Sequence, residues 1–475
     1  GQRVQLTVIG AEPHTAYNRV LLSSVLAGSL GLDAVRLHDS KWAEQNRVDL
    51  RLGRPVGEVC VEAQQVRLAG GERLDYDVLV LATGAIPWFP PVSGLCTGDG
   101  SLADGAVAFR SLEDCRWILA RAQRGEPVVV LGGGVLGLEA AGALAGRGNP
   151  VTVVHPMGHL MERVLDPSAG QVLAEQLESL GVRVLLNAEA TAYRPGRLEL
   201  ATGGPLEAGL LVVATGVRPD TRLARTAGLG VRAGILVDDQ LRTSDERIHA
   251  IGDCVEHPLA TSGLVDPAFD QAGVLADLVT GTDPGARYRG TRTVVRLKAR
   301  GIELTALGES RLDPNTRDAE VICLRDPSRG RYAKVVLRDN RVTGALMLGF
   351  PDAAATITGL HDSGAPAPSD RLALLLGRAL PAEPAVLDPA ELPANTLVCR
   401  CNSVTKAHLQ RAFRERLDLP ERAGVAGLVA STNATTGCGG CRNLVGEIAN
   451  WLAATDGSGV RGIQQHRERN GSLLR

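Results

Sequence analysis

The stretch PVVVLGGGVLGLEAAGALAGRGNPVTVVH, residues 127–155, predicts a β-strand, a glycine turn, an Ala-rich helix and a second strand. Gly132, Gly134 and Gly137 complete the pattern GxGxxG directly after the first strand and directly before the helix. In that context the first glycine permits a tight turn, the second lets the backbone approach a pyrophosphate, and the third lets the helix pack on the strand. An isolated GxGxxG can be an ordinary turn, but here both flanking elements are present. The stretch therefore predicts a Rossmann unit that binds a dinucleotide.

The end of the second strand leaves the choice of nicotinamide cofactor open. His155 stands where a carboxylate commonly receives the 2′-hydroxyl of the adenosine ribose. Together with Arg163, His155 can instead attract a 2′-phosphate, and the alternative is that both side chains face water. The cofactor is therefore predicted as NAD(P)H.

Apolar strand-like runs elsewhere look like the pieces of a second Rossmann unit. The pieces of the second unit are VQLTVIGAE, ending at Glu12, and LDYDVLVLATG, ending in Ala82-Thr83-Gly84. A second ATG turn ends the run GLLVVATG at Gly216, after the first Rossmann unit, and the run GILVDDQLRTSDERIHAIGD ends in Gly252-Asp253. The first strand and glycine loop of the second unit should lie roughly thirty residues upstream of Glu12. Because the chain begins at Gly1 rather than Met, we expect a truncation, a fragment of a larger polypeptide, or residues removed from the start.

Four cysteines near the C-terminus form two close pairs, Cys399 and Cys401 as CxC and Cys438 and Cys441 as CxxC. Four thiolates are what an iron-sulfur cluster or a structural zinc site requires. A helix-like run follows each pair, so we expect both pairs at helix N-termini, where the helix dipole favours thiolate charge. The alternatives are a thioredoxin-like dithiol at Cys438 and Cys441 or a zinc knuckle. Because a redox dithiol does not explain the upstream CxC, the pattern favours a bound metal.

Composition limits the classes of partner. The chain has 475 residues, enough for several domains, and its net charge of -2 gives no basic field for nucleic acid or for a membrane surface. The sequence shows neither an apolar run long enough to span a membrane nor a signal peptide, so we expect a cytoplasmic protein that binds small ligands and protein partners. The other five cysteines are predicted to be buried as small apolar residues: Cys60, Cys96, Cys115, Cys254 and Cys323.

The Rossmann unit, the two ATG turns and Gly252-Asp253 together resemble the flavoproteins with two dinucleotide-binding domains, the pyridine nucleotide-disulfide reductase-like enzymes. The resemblance implies an α/β fold in which the NAD(P)H domain is inserted within the FAD domain, followed by a small α+β domain and a small helical 2Fe-2S domain. The implied boundaries are 1–105 and 225–285 for the FAD domain, 106–224 for the NAD(P)H domain, 286–365 for the α+β domain, 366–395 for a Pro/Ala-rich linker, 396–455 for the cysteine module and 456–475 for a tail. Without the upstream strand, stable FAD binding would be doubtful.

The same resemblance assigns roles to individual residues. Glu12 would accept the ribose hydroxyls of FAD, and Arg19 in Tyr17-Asn18-Arg19 would meet pyrophosphate or ribose oxygens. Asp253 would bind the ribityl chain, Gln271 would line the isoalloxazine pocket, and Glu139 would lie near the nicotinamide and the flavin. The alternative for both glutamates is a solvated charge. The predicted cofactor-binding residues are Glu12, Arg19, Ala82, Thr83, Gly84, Gly132, Gly134, Gly137, Glu139, His155, Gly216, Gly252, Asp253 and Gln271. Hydride transfer needs no proton carrier, so no catalytic acid or base is predicted.

The segment from Leu397 to about Leu452 resembles the bacterioferritin-associated ferredoxin family, small helical modules that carry a 2Fe-2S cluster on four cysteines. That resemblance makes Cys399, Cys401, Cys438 and Cys441 the metal ligands. Almost the whole chain, including AEPHTAYNRVLLSSVLAG and HLMERVLD, resembles the flavoprotein part of bacterial assimilatory nitrite reductases and the electron-transfer subunit of assimilatory nitrate reductases.

These resemblances imply an NAD(P)H-oxidising FAD and 2Fe-2S component that passes electrons to a nitrate reductase catalytic subunit or domain. Service to a sirohaem nitrite reductase is the second interpretation. The sequence shows neither a further cysteine quartet nor a molybdopterin region, so we expect reduction of nitrate or nitrite on another subunit or on another part of the polypeptide. A monooxygenase-type ferredoxin reductase would share the flavin half but normally lacks the cysteine module. A metal-binding redox sensor on a degenerate flavoprotein fold is the alternative of another class.

Overall fold

The computed structural model describes residues 4–38, 41–259, 263–376, 389–399, 402–415, 424–436 and 441–455. The chain divides into two compact units, Gly1–Ala382 and Glu383–Arg475. The first mixes sheets and helices, and the second is mainly helical where it is described. Among the described residues, no helix combines the length and the apolar character needed to cross a membrane.

The first part of the chain forms short strands and two short helices. The strands are β1 (Thr7–Ile9), β2 (Asp49–Arg51), β3 (Val56–Cys60), β4 (Gln65–Leu68), β5 (Arg73–Asp75), β6 (Leu79–Leu81) and β7 (Ala85–Pro87), and the helices are α1 (Leu22–Leu26) and α2 (Trp42–Gln45). Strand β1 pairs in parallel with β2, while β3, β4 and β5 form an antiparallel meander. Helix α1 is almost entirely buried, so it belongs to the core rather than to a surface loop.

The next part contains a parallel five-stranded sheet. The strands and helices of this part of the chain are β8 (Ala106–Ala108), α3 (Leu112–Arg121), β9 (Val128–Leu131), α4 (Val135–Gly146), β10 (Val151–Val154), α5 (Pro167–Ser179), β11 (Val182–Leu185), β12 (Ala190–Arg194), β13 (Gly196–Leu200), β14 (Leu206–Ala208), β15 (Leu210–Val213), β16 (Val217–Pro219) and α6 (Arg222–Thr226). The sheet order is β11-β10-β9-β15-β8. Every residue of β9 and β15 is buried, as expected of central strands covered on both faces. The strand, turn, helix and strand predicted for residues 127–155 are confirmed.

The following segment returns the chain to the first part. It contains β17 (Ile235–Leu236), β18 (Ile248–Ala250), β19 (Val255–Glu256) and α7 (Val265–Thr280). Strand β18 pairs in parallel with β6, and β7 pairs with β16 in a short antiparallel ribbon. Among the described residues, β1–β2 and β6–β18 form separate two-stranded ladders, and Val8 and Val80 on them remain partly exposed.

A five-stranded antiparallel sheet follows, covered on one face by helices. Its elements are β20 (Val294–Ala299), β21 (Ile302–Gly308), β22 (Glu320–Asp326), β23 (Arg331–Arg338), β24 (Arg341–Leu348), α8 (Pro351–Ser363) and α9 (Arg371–Leu375), with the sheet order β20-β21-β24-β23-β22. The predicted turn at Asp339-Asn340 joins β23 to β24, and both residues have positive φ. Leu374 and Leu375 of α9 are buried in the core of this sheet, so the start of the predicted linker is a packed segment.

The second unit contains β25 (Leu397–Cys399), β26 (Val404–Thr405), α10 (Lys406–Arg414), α11 (Val425–Thr432) and α12 (Arg442–Thr455). Helix α10 begins at a capping box in which Thr405 accepts from the His408 N–H. Leu409 and Phe413, one turn apart on α10, are buried against Leu428 of α11 and Ile448 of α12. The described part of this unit therefore has its own apolar core.

The expectation that the five remaining cysteines are buried is wrong for two of them. Cys115 and Cys254 are buried and Cys60 is half-buried, whereas Cys96 and Cys323 are exposed. Cys96 lies in the surface loop between β7 and β8, and Cys323 lies on the edge strand β22. Loop and edge positions expose a small side chain that the sequence pattern alone assigns to a core.

A buried ion pair joins the parallel sheet region to the antiparallel sheet. The Lys334 side chain is 0% exposed, and its Nζ donates to Asp166 Oδ2 and, at 3.0 Å, to the Leu312 carbonyl oxygen. The Tyr332 hydroxyl donates to Asp166 Oδ2 at 2.9 Å. Although burial opposes it, hydrogen bonds from Lys334 and from the Ala169 N–H hold the pKa of Asp166 below its ordinary value.

Asp166→Asn is expected to lower the free energy of unfolding by about 3 kcal/mol, because it leaves the Lys334 ammonium buried without a counter-charge. The double variant Asp166→Asn with Lys334→Met should lose less free energy of unfolding than Asp166→Asn alone. Urea unfolding of the three proteins measures this. As a control, Asp326→Asn breaks the exposed pair with Arg329 and should cost less than about 1 kcal/mol. Equal losses for the buried and exposed pairs would refute this account of the junction.

Candidate functional site

The glycine turn before α4 is shaped by the backbone around it. Gly132 has φ +118°, and a Cβ there would collide with the Ala214 carbonyl oxygen; a Cβ at Gly137 would collide with the Gly132 carbonyl oxygen. A Cβ at Gly134, the residue directly before α4, meets no atom within 4 Å. The fold itself therefore requires the first and third glycines, while the second faces open space. That space adjoins the N-terminus of a 12-residue helix, which fits the phosphates of a dinucleotide.

His155 lies under this turn and is only 6% exposed. Its Nδ1 accepts from the Gly133 N–H at 3.2 Å, and its Nε2 lies 3.1 Å from Glu162 Oε2. Because Nδ1 is an acceptor, the ring is neutral and Nε2–H donates to Glu162. Burial lowers the pKa of His155, although Glu162 opposes this. Neither expectation for His155 fits, since the ring presents no cation to a 2′-phosphate and does not face water.

Glu139 on α4 is a half-buried carboxyl with partners on two other elements. The Lys298 N–H of β20 donates to Glu139 Oε1 at 3.3 Å, and the Ser23 side chain of α1 also bonds it. Burial raises the pKa of Glu139 to about 7, against the opposing effect of Ser23 and Lys298. The solvated-charge alternative does not describe this group. A carboxyl that titrates near neutral pH can hold or release a proton beside the glycine turn.

Glu139→Gln is expected to remove part of the pH dependence of stability. Because the folded-state pKa of Glu139 is raised above 4.5, its contribution to the free energy of unfolding is fully present below 4.5 and is lost as the pH rises through about 7. Between about pH 5 and about pH 8, the free energy of unfolding of wild type should therefore fall by on the order of 2 kcal/mol relative to that of the variant. Urea unfolding at both pH values tests this, with Glu178→Gln on the exposed face of α5 as control. Parallel pH profiles for wild type and Glu139→Gln would exclude the raised pKa.

The residues after β1 form a polar cluster around Glu12. The Tyr17 hydroxyl donates to Glu12 Oε2 at 2.6 Å, and Arg19 forms an ion pair with Glu12. Although burial opposes it, these hydrogen bonds lower the pKa of Glu12 below its ordinary value. The carboxylate is therefore ionised and fixed, beside a pocket lined by His14, Thr15, Tyr17, Asp33 and Arg36. An ionised, oriented acceptor fits hydroxyl donors such as those of a ribose.

A second cluster surrounds the turn after β18. Gly252 has φ +79°, and its N–H donates to the Oε1 atom of Gln271 at 2.7 Å. Gln271 is 1% exposed, so its amide oxygen serves to fix this turn. Asp253, the next residue, accepts from Arg110 at 3.2 Å and from the Gly263 N–H at 2.8 Å.

Arg110 links the two polar clusters, although no sequence motif marks it as a functional residue. Its guanidinium pairs with Asp253, and its carbonyl oxygen accepts from Arg19 at 3.2 Å. The predicted residues Arg19 and Asp253 are thus brought to the same region although they lie far apart in the chain. The carboxylates and guanidinium groups gathered there fit a ligand with ribose, ribityl and phosphate groups.

The two ATG turns cross-link the segments that connect these regions. Thr83 Oγ1 donates to the Asp220 carbonyl oxygen at 2.6 Å, and Thr215 Oγ1 donates to the Trp88 carbonyl oxygen at 2.6 Å. Gly84 and Gly216 have φ +70° and +110°, values that favour glycine. Ala82 is exposed. The described contacts give these turns a role in fixing the β7–β16 ribbon beside the polar clusters.

In the second unit, the described parts of the cysteine segments lie together. Cys399 is 2% exposed at the end of β25, and Cys441 immediately precedes α12; both pack in the same apolar cluster. Cys401 and Cys438 lie outside the described residues. Asn402 Nδ2 donates to Thr436 Oγ1 at 3.2 Å and so ties the CxC segment to the CxxC segment.

These contacts fit a four-thiolate centre, with one correction to the prediction. Of the two described cysteines, Cys441 immediately precedes α12, whereas Cys399 ends a strand, because the chain forms β26 before α10 begins at Lys406. Two of the four thiols thus pack in one apolar cluster, on segments bonded to each other, which fits a shared metal centre.

Three family models match the chain. Residues 2–272 match the pyridine nucleotide-disulphide oxidoreductase family, 294–364 match the rubredoxin NAD+ reductase C-terminal domain, and 397–451 match the BFD-like 2Fe-2S binding domain. The first and third matches indicate FAD, NAD(P)H and a 2Fe-2S cluster as cofactors, and the donor groups described above fit all three.

Two relatives from Bacillus subtilis (strain 168) match along nearly the whole chain. The NAD(P)H nitrite reductase is 33% identical over 95% of this chain and 55% of its own length. The assimilatory nitrate reductase electron transfer subunit is 31% identical over 95% of this chain and 57% of its own length. The chain thus spans just over half the length of these relatives.

Among solved structures, the NAD-dependent persulfide reductase from A. fulgidus matches with a TM-score of 0.69 and 26% identity, over 80% of this chain and 75% of that one. The first family model covers more than half of the chain, and the solved structure supports the same fold. The chain belongs to the pyridine nucleotide-disulphide oxidoreductase family, as an oxidoreductase with FAD, NAD(P)H and a fused BFD-like 2Fe-2S module.

Proposed function

We propose that this chain is the NAD(P)H-oxidising electron-input component of an assimilatory nitrate reductase. It delivers electrons through its 2Fe-2S module to a separate catalytic subunit or domain. The observation that carries this proposal is the fusion of the two kinds of site in one chain: a glycine turn that leaves open space at Gly134, and a module that buries Cys399 beside Cys441. A disulfide reductase of the same fold needs no second redox centre of this type.

When bound, the nicotinamide supplies a hydride, the flavin accepts two electrons and can release them singly, and the cluster carries one electron at a time. The chain's own residues bind and orient these groups. Gly134 leaves room for the phosphates of NAD(P)H, and Glu12 and Asp253 hold FAD hydroxyls with Arg19 near the phosphates. Glu139 holds a proton near neutral pH beside the glycine turn. We assign Cys399, Cys401, Cys438 and Cys441 as the cluster ligands.

The protein acts in the cytoplasm, where reducing conditions keep cluster thiols free of disulfides. Nitrite is the second candidate for the terminal acceptor, because the nitrite and nitrate relatives are similarly close, at 33% and 31% identity. The chain spans just over half the length of these relatives, so we assign the reduction of either ion to another subunit or domain.

Reconstitution separates the two acceptors. The holoprotein, NADH or NADPH, and either a nitrate reductase catalytic subunit or a sirohaem nitrite reductase are mixed anaerobically, and loss of nitrate or nitrite is followed. We expect nucleotide-dependent loss of nitrate that requires this protein. Turnover with the nitrite reductase but not with the nitrate reductase subunit would show that this protein serves nitrite reduction. No turnover with either enzyme, together with zinc rather than iron and acid-labile sulfide on metal analysis, would favour the redox-sensor alternative.

A further inference from the structure

We propose that Glu162 selects NADH over NADPH, and that His155 is the positioning residue that holds its carboxylate at the adenosine ribose. The inference rests on the proposed use of a nicotinamide dinucleotide at the Gly132–Gly137 turn. In Rossmann units that take NADH, a carboxylate at the end of the second strand commonly receives the ribose 2′-hydroxyl. Here His155 occupies that place, and the carboxylate that contacts its ring, Glu162, is supplied by the loop that follows.

The His155 ring connects the glycine turn to Glu162. One ring nitrogen accepts from the Gly133 N–H at 3.2 Å, and the other donates to Glu162 Oε2 at 3.1 Å. A Cβ at Gly133 would lie 2.8 Å from the ring, so the imidazole packs directly against the turn. The carboxylate is therefore one side chain away from the backbone that approaches the dinucleotide.

The loop that carries Glu162 is fixed to the same turn by a second, independent contact. The Met161 N–H donates to the Gly133 carbonyl oxygen at 3.0 Å, and Met161 is buried with φ +51°. A non-glycine residue seldom adopts this conformation, and such residues persist where the surrounding structure imposes them, often at functional sites. Leu160, its neighbour, is fully buried. Glu162 is thus held on a rigid loop rather than on a surface loop free to move.

The charges around the carboxylate favour hydroxyls over phosphate. The Glu162 side chain is 27% exposed and can reach a ligand, while the His155 ring, with Nδ1 accepting, carries no positive charge. Arg163 is the nearby cation, but its side chain is 91% exposed and lies 3.8 Å from Glu162. A carboxylate accepts bonds from ribose hydroxyls and repels a 2′-phosphate, so it acts through both attraction and exclusion.

Calorimetry with ADP-ribose and 2′-phospho-ADP-ribose tests the proposal on the holoprotein without any redox step. Wild type should bind ADP-ribose at least about tenfold more tightly, because repulsion and lost hydroxyl bonds both penalise the phosphate. Glu162→Gln should reduce this ratio to about threefold or less, and Glu162→Asp should retain most of it. His155→Ala should lower the ratio with Glu162 intact, and His155→Gln, which keeps an acceptor and a donor, should restore part of it. Glu175→Gln, an exposed change on α5, should leave the ratio unchanged.

The results separate this inference from the proposed function. If wild type binds both ligands but Glu162→Gln leaves their ratio unchanged, or if wild type prefers the 2′-phosphate, the inference is overturned while nucleotide use stands. If wild type binds neither ligand, the proposed nucleotide site fails and the inference fails with it. Circular dichroism of each variant confirms that the compared proteins are folded.

Discussion

Serine in place of Cys399 or Cys441 is expected to abolish the 2Fe-2S cluster and, with it, electron delivery to the proposed reductase partner. Both thiols pack in the apolar cluster of the second unit. Serine would replace one anionic thiolate ligand by a neutral hydroxyl, which binds iron more weakly. We expect loss of the visible cluster absorption and a fall of about 100-fold or more in partner reduction, since ligand and supporting residues commonly affect a centre by such factors. Iron and acid-labile sulfide content, with the visible spectrum, provide the measurement.

The first unit should retain its own chemistry in these variants. NAD(P)H oxidation with ferricyanide, which can take electrons directly from a flavin, should stay within about twofold of wild type, because no residue of the Gly132–Gly137 turn is altered. Cys96→Ser changes an exposed cysteine outside the module and serves as the matched control; it should keep the cluster. A Cys399→Ser protein with full iron content and undiminished partner reduction would contradict the assignment of the cluster ligands.

Gly132→Ala is expected to eliminate most nucleotide binding and to destabilise the parallel sheet region. The alanine must adopt φ near +118°, and its Cβ collides with the Ala214 carbonyl oxygen, so the turn or β15 has to move. Strain and overpacking together should cost about 3 kcal/mol of stability. The displaced turn should weaken NAD(P)H binding by about 100-fold. Calorimetric binding of NAD+ and urea unfolding give the two values.

Two other glycines separate strain from site geometry. Gly196→Ala also requires positive φ but meets no atom within 4 Å, so it should cost about 1 kcal/mol and leave nucleotide binding intact. Gly134→Ala meets no atom either, so it should weaken binding about tenfold or more with at most about 1 kcal/mol of lost stability. Unchanged NAD+ affinity in both Gly132→Ala and Gly134→Ala would show that the dinucleotide does not bind at this turn.

Local signals allowed the fold around the glycine turn to be predicted. Three glycines, an apolar strand and an Ala-rich helix all lie within one stretch, and no distant residue is needed to interpret them. The hairpin at Asp339-Asn340 was predictable for the same reason, since both residues tolerate positive φ. The position of Cys399 at the end of a strand was not, because the short strand β26 intervenes before the helix-like run begins.

The contacts that complete the site depend on tertiary structure and escaped prediction. Arg110 pairs with Asp253 across 143 residues of sequence, and nothing near Arg110 marks it as a partner. No sequence motif marks Glu162, because the role proposed for it depends on which nitrogen of His155 accepts from Gly133. Burial raises the pKa of Glu139 where α4 packs against α1 and β20, two elements far from α4 in the chain, while the hydrogen bonds from Ser23 and Lys298 oppose that rise.

In the proposed function, electrons enter from NAD(P)H at the first unit and leave through the cluster. An anaerobic titration of the purified holoprotein with NADH, and separately with NADPH, followed by visible spectroscopy, tests it most directly. We predict that the flavin absorption bleaches first and the cluster absorption follows, with NADH effective at lower concentration than NADPH. A cluster that neither nucleotide reduces, or a protein with neither chromophore, would contradict the account.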